Sequence, residues 1–375
     1  MRIGIDARPL SSTLTGIGYV FLNIIKWLEK FNSSDEFYCY SYSDFQLPFK
    51  NPRWKKRIGK GYWAGMGSLW ILTQGGKYIL QDKPHVYWAP WPIVPPYLPM
   101  KTAITIHDFN WWHCPETMEL RQWMVHSLLG NHSVRKASAV FAVSQSTLND
   151  VLKLRSENNV YLTPNAVNDA FRPLDRIASA NEITAKFNCS PRYILAVGTV
   201  EPRKNLITLL QSFRKLKDRY HIPQQLLIVG AKGWKDSDIF NEYKKLRLEN
   251  DVVFPGYIPD ADMPKLYSGA ELLIFPSIYE GFGLPVLEAM ACGCPVVASN
   301  RSSIPEIVGD SGLLVEPMDT EAIAEGIQKL LNDENFRKDC CQKGLARAKL
   351  FSWEKTARKI HDVLLELAAA EAKKR

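Results

Sequence analysis

Short apolar runs and helix-period segments alternate along this 375-residue chain. In the first half, residues 2–6, 37–42, 86–89, 103–107 and 139–144 are apolar stretches of strand length. Residues 18–31 and 122–137 repeat apolar positions at three- and four-residue spacing, which predicts amphipathic helices. A second series of strands begins at 193–198 and continues through 225–230, 252–254, 272–276 and 295–299. Strands alternating with helices in this way predict an α/β architecture with parallel sheets. Residues 163–180 lie between the two series and hold two prolines. A chain of this length exceeds one ordinary core, so two domains are expected, at 1–170 and 171–353.

The most informative stretch is Glu280-Gly-Phe-Gly-Leu-Pro-Val-Leu-Glu288, which continues as Ala-Met-Ala-Cys-Gly-Cys-Pro-Val. Pro285 suits the first helical position, because its fixed φ fits and its missing N–H costs nothing there. Gly293 is placed to end that helix, and residues 294–298 read as the next buried strand. The amides of Gly281, Phe282 and Gly283 then point out of a positive helix end, which is an anion site. Glu288, about two turns beyond Glu280, is placed to accept from sugar hydroxyls, as acidic residues do for ribose in other nucleotide folds. Diphosphate and sugar recognised in one place point to a nucleotide-sugar.

Other candidates fall at strand ends, where open α/β folds bind ligands. Arg203 and Lys204 follow the strand at 193–198 through Pro202, and adjacent cations can clamp a diphosphate. A surface pair flanking a helix start is the plainer alternative. His107 ends an apolar strand and is followed by Asp108, a position that a satisfied polar group would also fill. Gly16 and Gly18 occupy the first strand–helix connection, where glycine lets a backbone approach a ligand closely. A tight turn explains them equally well. Asp236-Ser-Asp238 and Asp260-Ala-Asp262 have the spacing of metal-binding acid pairs, yet Asp260 reads better as the N-cap of a helix at 263–270. No metal and no cofactor is expected.

Thr15-Gly-Ile-Gly18, His107-Asp108, Val197-Gly-Thr-Val-Glu-Pro-Arg-Lys-Asn-Leu206, the 280–296 stretch and Phe351-Ser-Trp-Glu354 occur in that order. Together, with seven residues between Glu280 and Glu288, they resemble the retaining GT-B glycosyltransferases of family 4. The likeness spans essentially the whole chain and is nearest to bacterial mannosyltransferases that build polysaccharide. It implies the GT-B fold, two Rossmann-like domains facing across a cleft, with a final helix at 354–375 packing back on the first. It implies transfer of a hexose, first of all α-mannose from GDP-mannose, to a hydroxyl of a polysaccharide or lipid-linked glycan. In that resemblance Arg203 and Lys204 neutralise the leaving diphosphate, and His107 donates to a hydroxyl of the transferred sugar. The Gly16–Gly18 loop lies over the reacting centre, and the backbone near Tyr257 and Ile258 lines the base pocket. Glu280 approaches the donor sugar, either as a nucleophile or beside a front-face ion pair that relies on leaving-group stabilisation. The second role fits a clamp of Arg203, Lys204 and helix amides better. A UDP-sugar donor, a GT-B sugar-nucleotide epimerase and a non-catalytic nucleotide-sugar-binding subunit are the alternatives. Pro164-Asn-Ala-Val-Asn168 departs from the PNGVD common in the family.

Composition adds three points. The formal charge of +8 is partly local: Arg53, Lys55, Lys56, Arg57 and Lys60 are interleaved with Trp54, Tyr62 and Trp63. That suits a membrane interface or a lipid-diphosphate acceptor, against the plainer reading of residues 52–63 as a solvated loop. No recognition motif for nucleic acid accompanies the charge. The seven cysteines are scattered without metal-ligand spacing, which favours reduced structural thiols. No run reaches the length of a membrane span and the chain opens directly on a strand, so a cytoplasmic protein, at most peripheral at the inner membrane face, is expected.

Overall fold

The computed structural model describes residues 1–11, 16–31, 34–59 and 67–373. Thr15, Lys60, Tyr62 and Trp63 therefore lie outside the described residues. The chain divides into two compact units: residues 1–112, 118–165 and 352–375, and residues 113–117 with 166–351.

The first unit holds a seven-stranded sheet of β1 (Arg2–Asp6), β2 (Glu36–Ser41), β3 (Trp54–Ile58), β4 (Val86–Ala89), β5 (Lys101–Ile106), β6 (Ala139–Ala142) and β7 (Val160–Leu162). The order is β3-β2-β1-β4-β5-β6-β7, and every pairing is parallel. Strand order reverses between β1 and β4, so the loops that follow them splay apart and open a crevice at their carboxyl ends. Helices Gly16–Lys30 and Trp353–Ala372 pack together over this sheet. Asp35, almost fully buried, fastens the second of them: it accepts from the Met1 amine at 2.6 Å and lies 3.1 Å from His361 Nε2.

The second unit holds a six-stranded parallel sheet of β8 (Tyr193–Val197), β9 (Gln225–Val229), β10 (Val252–Gly256), β11 (Leu272–Phe275), β12 (Val296–Ser299) and β13 (Leu313–Val315). Its order is β10-β9-β8-β11-β12-β13, with the reversal between β8 and β11. Helix Leu206–Tyr220 buries Leu209, Leu210, Phe213 and Leu216 in one core with Ile194, Ile228 and Ile274 of the strands. A parallel sheet covered on both faces requires such continuous apolar strands.

Two parts of the sequence reading change. Residues 54–58 form an edge strand, not a loop, with Trp54 stacked on Phe37 at 4.1 Å between ring centroids. Each described cation of the stretch has a carboxylate: Arg53 meets Glu29 at 3.8 Å, Lys55 Glu36 at 2.7 Å, Lys56 Asp44 at 3.0 Å and Arg57 Asp82 at 2.7 Å. Such pairing cancels most of the local field that an anionic surface would sense. Asp260 is also not a helix cap. Asp262 precedes helix Met263–Gly269 without a side-chain capping bond and pairs with Lys186 instead.

Candidate active site

In the second unit, the loops after β8 and β11 emerge side by side at the point where strand order reverses. They are tied together. Ile278 N–H donates to Arg203 O at 2.9 Å, and Asn205 Nδ2 reaches the carbonyls of Pro276 and Pro317. Gly198 leaves room for the lysine: a Cβ there would lie 2.8 Å from Lys204 Cε. The Lys204 ammonium consequently sits 5.0 Å from the centre of the Phe275 ring, with only 12% of its side chain exposed.

Glu280 is the hub of the cluster. Its Oε1 accepts from Lys204 Nζ at 2.5 Å, and its Oε2 lies 2.9 Å from Arg203 Nη1. Arg203 also donates from Nε and Nη2 to Glu201 Oε1, at 3.1 and 2.8 Å, and from Nη1 to Tyr279 O. Two cations thus face two carboxylates, and all four side chains are largely buried. Burial opposes ionisation of Glu280, but the charges of Arg203 and Lys204 outweigh it and hold the carboxyl down at about 2. Burial pulls the Lys204 ammonium below the ordinary lysine value; Glu280 opposes this and Arg203 adds to it. The backbone is fixed as firmly. Glu280 N–H donates to Ser302 Oγ at 2.9 Å, and Ser303 Oγ lies 2.9 Å from Glu280 O and 2.8 Å from Phe282 O.

Gly283, at φ 106°, is the N-cap of helix Leu284–Ala291, and a Cβ there would meet Ile304 Cδ1 at 2.6 Å. Pro285 is the second helical residue and not the first, an offset that costs no hydrogen bond because that N–H is unused too. Gly293, at φ 74°, closes the helix, with Cys294 N–H on Ala289 O and Gly293 N–H on Met290 O. The Phe282 ring is buried edge-on against Phe351, 5.7 Å between centroids, so Phe282 offers a ligand only its backbone.

One turn into the helix, Glu288 Oε2 accepts from Tyr267 Oη at 2.8 Å. Burial pushes its carboxyl up to about 7, and the Tyr267 bond only partly restrains the rise. Nearby, Gly256 takes φ 79° at the end of β10, Tyr257 turns its side chain outward at 56% exposure, and Ile258 is buried. Among the described residues, no three His, Cys, Asp or Glu side chains are grouped closely enough to hold a metal ion.

In the first unit, His107 follows β5, and its Nε2 lies 3.1 Å from Pro90 O. A carbonyl can only accept, so Nε2 carries the proton. Burial, opposed by Asp108, holds the imidazole below its ordinary value and keeps it neutral at pH 7. Nδ1 is then an acceptor. This corrects the expectation that His107 donates to a hydroxyl: a hydroxyl would have to donate to it. Gly16 and Gly18 lie in the first turn of helix Gly16–Lys30 and not in the loop before it; among the described residues, no atom would meet a Cβ at Gly16. Gly18 lines a cavity of about 300 Å³ with Arg8, Tyr42, Trp91 and His126. Trp91 Nε1 and His126 Nδ1 are buried there without partners among the described residues.

The glycosyl transferases group 1 family matches residues 181–347. The O-antigen chain mannosyltransferase B of Escherichia coli is 32% identical over 372 residues, which covers 94% of this chain and 97% of that protein. The chain belongs to the group 1 glycosyltransferases. Its fold is that of the GT-B enzymes: a sucrose-phosphate synthase from Thermosynechococcus elongatus superposes with a TM-score of 0.80 at 21% identity, covering 99% of this chain and 100% of that one. Anabaena HepE, in complex with UDP-glucose, gives 0.77 at 17% identity, covering 98% and 100%. Against this glycosyltransferase framework, sequence reasoning missed Glu201, Tyr267, Ser302 and Ser303. Glu201 sits two residues before Arg203, a spacing that could have flagged it. The other three come from distant segments, and nothing in their neighbourhoods marks them.

Proposed function

We propose that this glycosyltransferase transfers α-mannose from GDP-mannose to a hydroxyl of a polysaccharide or lipid-linked glycan, with retention at the anomeric carbon. The observation that carries the transfer chemistry is the buried Glu280–Arg203–Lys204 cluster beside the N-terminus of helix Leu284–Ala291. Cations preset in a largely buried cluster stabilise a departing diphosphate. The helix end adds its own positive potential, worth roughly 0.3–1 kcal/mol at an exposed site and more in a partly buried one. Phosphate oxygens replace part of what Glu280 and Glu201 now supply to Arg203 and Lys204, and no metal is called for.

A carboxylate held near 2 is a weak nucleophile, so the ion-paired state of Glu280 supports a positioning role in front-face attack over double displacement. Glu288 accepts from the ribose hydroxyls in its ionised form. His107, with Nδ1 as acceptor, receives a hydrogen bond from a hydroxyl of the donor sugar. Mannose as the sugar rests on the full-length similarity to an O-antigen mannosyltransferase. A UDP-sugar donor is the second reading, favoured by the UDP-glucose complex of HepE.

The deciding experiment incubates the enzyme with GDP-mannose, UDP-glucose or UDP-N-acetylglucosamine and a mannosylated acceptor, with and without a strong chelator. Turnover of GDP-mannose alone, unaffected by chelator and giving an α-linked product by NMR, is expected. Turnover of a UDP-sugar instead would overturn the donor. Activity lost to chelator and restored by Mg²⁺ or Mn²⁺ would overturn the metal-free clamp.

A further inference from the structure

Residues 113–117 belong to the second unit, although the chain on either side of them belongs to the first. The segment closes on itself: Thr117 N–H and Oγ1 both donate to Cys114 O, at 3.0 and 2.7 Å, and Cys114 and Thr117 are buried. It is fastened at both ends. At one end the exposed His113 imidazole stacks on the buried Tyr279 ring, 4.4 Å between centroids and 20° between planes. At the other, Trp234 Nε1 donates to Thr117 O and Lys235 Nζ donates to Glu116 O. Both anchors lead into the Arg203–Lys204–Glu280 cluster. Tyr279 directly precedes Glu280, and its carbonyl accepts from Arg203 Nη1 at 2.9 Å. Trp234 lies at the end of the stretch after β9 that stays paired with the stretch after β8: Val200 N–H donates to Ala231 O at 2.9 Å, and Gly233 N–H to Val200 O at 3.1 Å. A Cβ on Gly233 would lie 2.8 Å from Val200 O and 3.3 Å from Glu201 Cβ, so only glycine permits this approach. In the sheet β8 lies between β9 and β11. The ends of the segment therefore rest on either side of the loop that carries Glu201, Arg203 and Lys204.

We propose that His113 is a positioning residue for sugar transfer. Stacked on Tyr279, with Trp234 and Lys235 holding the far end of its segment, it fixes the carbonyl that orients Arg203 toward the leaving diphosphate. This rests on the reading of Arg203 and Lys204 as a diphosphate clamp and is independent of the sugar and the base of the donor. Arg203 Nη1 is shared between Tyr279 O and Glu280 Oε2, so a displaced Tyr279 disturbs both partners of that nitrogen at once. The guanidinium is a rigid planar fork, and tilting it misaligns every bond it makes. Preorganised donors act most strongly on charge that develops as the leaving group departs. A loosened Arg203 therefore costs more at the free diphosphate, which keeps the electron pair of the broken C–O bond, than at the intact nucleotide-sugar. The stack needs a flat ring and not a proton, so an aromatic substitute preserves it.

The test compares His113→Ala and His113→Phe with the parent by calorimetric binding of GDP and UDP, and by kinetics with the nucleotide-sugar that the parent turns over. His113→Ala should bind the parent's diphosphate about tenfold more weakly and lower kcat by about tenfold, with the donor KM within about threefold. His113→Phe should bring both back to within about threefold of the parent. Trp234→Phe, which keeps a ring and loses the Nε1 donor, should show a smaller loss in the same direction. His113 is exposed, so unchanged melting curves will show that the fold is intact. Parent-like diphosphate binding and kcat in His113→Ala would overturn the inference and leave the clamp standing. So would a loss that His113→Phe does not recover, or one confined to the donor KM. If the parent binds neither GDP nor UDP, the clamp itself falls, and this inference with it.

Discussion

Glu280 and Glu288 sit at the two ends of one loop–helix unit, and the protein holds them in opposite states. Glu280 is enclosed with Arg203 and Lys204 and is held ionised down to about 2. Glu288 is half-buried, receives one hydroxyl from Tyr267, and is pushed up to about 7. Both are penalised by burial, so the difference lies in what faces them: two cations in one case, a neutral phenol in the other. A signature of paired glutamates therefore does not describe a pair of equal acids. One is a fixed charge, and the other changes protonation within the physiological range.

The hardest way to break this contrast is to remove the fixed charge. Glu280→Ala leaves Arg203 and Lys204 buried with Glu201 alone opposing them, a loss expected to cost about 3–5 kcal/mol. Turnover should fall by roughly 10³-fold or more if, as proposed, Glu280 positions the donor sugar and holds the two cations in place. The pH dependence has a defined sign. A folded-state value of about 2, below the ordinary 4.5, contributes stability that is complete above 4.5 and disappears as pH falls through 2. By that shift it amounts to about 3 kcal/mol. Acid melting curves of Glu280→Gln should lack this component. If the variant melts in parallel with the parent from pH 6 to 2, the ion-pair account fails.

Replacing one cation at a time comes next. Lys204→Ala should reduce kcat/KM by about 10²–10³-fold, and the double variant with Glu280→Gln should lose far less than the sum, because the partners form one network. Additive losses in a double-mutant cycle would mean that Lys204 and Glu280 act separately.

How far the sequence reached follows the same division. The parallel α/β pattern, the helix begun by Gly283 and ended by Gly293, and the position of Arg203 and Lys204 after β8 were legible, because local chain chemistry sets each of them. Strand β3 was not: Trp54-Lys-Lys-Arg-Ile58 carries three cations in a row, and only carboxylates brought by Glu36, Asp44 and Asp82 make it a strand edge. The opposed states of the glutamates were equally hidden, since Arg203 and Lys204 reach Glu280, and Tyr267 reaches Glu288, through tertiary packing. The proton on His107 was misread for the same reason: Pro90, seventeen residues upstream, decides it.

A milder perturbation addresses Glu288 alone. If its ionised form accepts from ribose, donor affinity should strengthen several-fold from pH 6 to pH 8, while Glu288→Gln should bind more weakly with a flat profile. Stability should run the other way. A carboxyl raised to about 7 contributes stability that is complete below the ordinary 4.5 and lost as pH rises through 7. Glu288→Gln should therefore melt higher than the parent at pH 8, by on the order of 1–3 kcal/mol, and no higher at pH 5. Calorimetric donor binding and melting curves at the two pH values give both readouts. Unchanged affinity in the variant would remove Glu288 from the donor site.

The smallest expected effect is the sharpest test of the contrast, because it alters the phenol and leaves both glutamates in place. Tyr267→Phe keeps the buried ring beside Phe171 and removes only the hydroxyl that donates to Glu288 Oε2. That bond favours the ionised carboxylate, so its loss should move the midpoint of the donor-affinity profile upward by about one unit, the shift equivalent to about 1.4 kcal/mol. Affinity at pH 9 should be nearly that of the parent, which separates a shifted titration from a damaged pocket. A midpoint that stays near 7 would mean that desolvation alone sets Glu288 and that Tyr267 only fills space. A midpoint that falls would reverse the assigned direction of the bond, with the carboxyl as donor to the phenol oxygen.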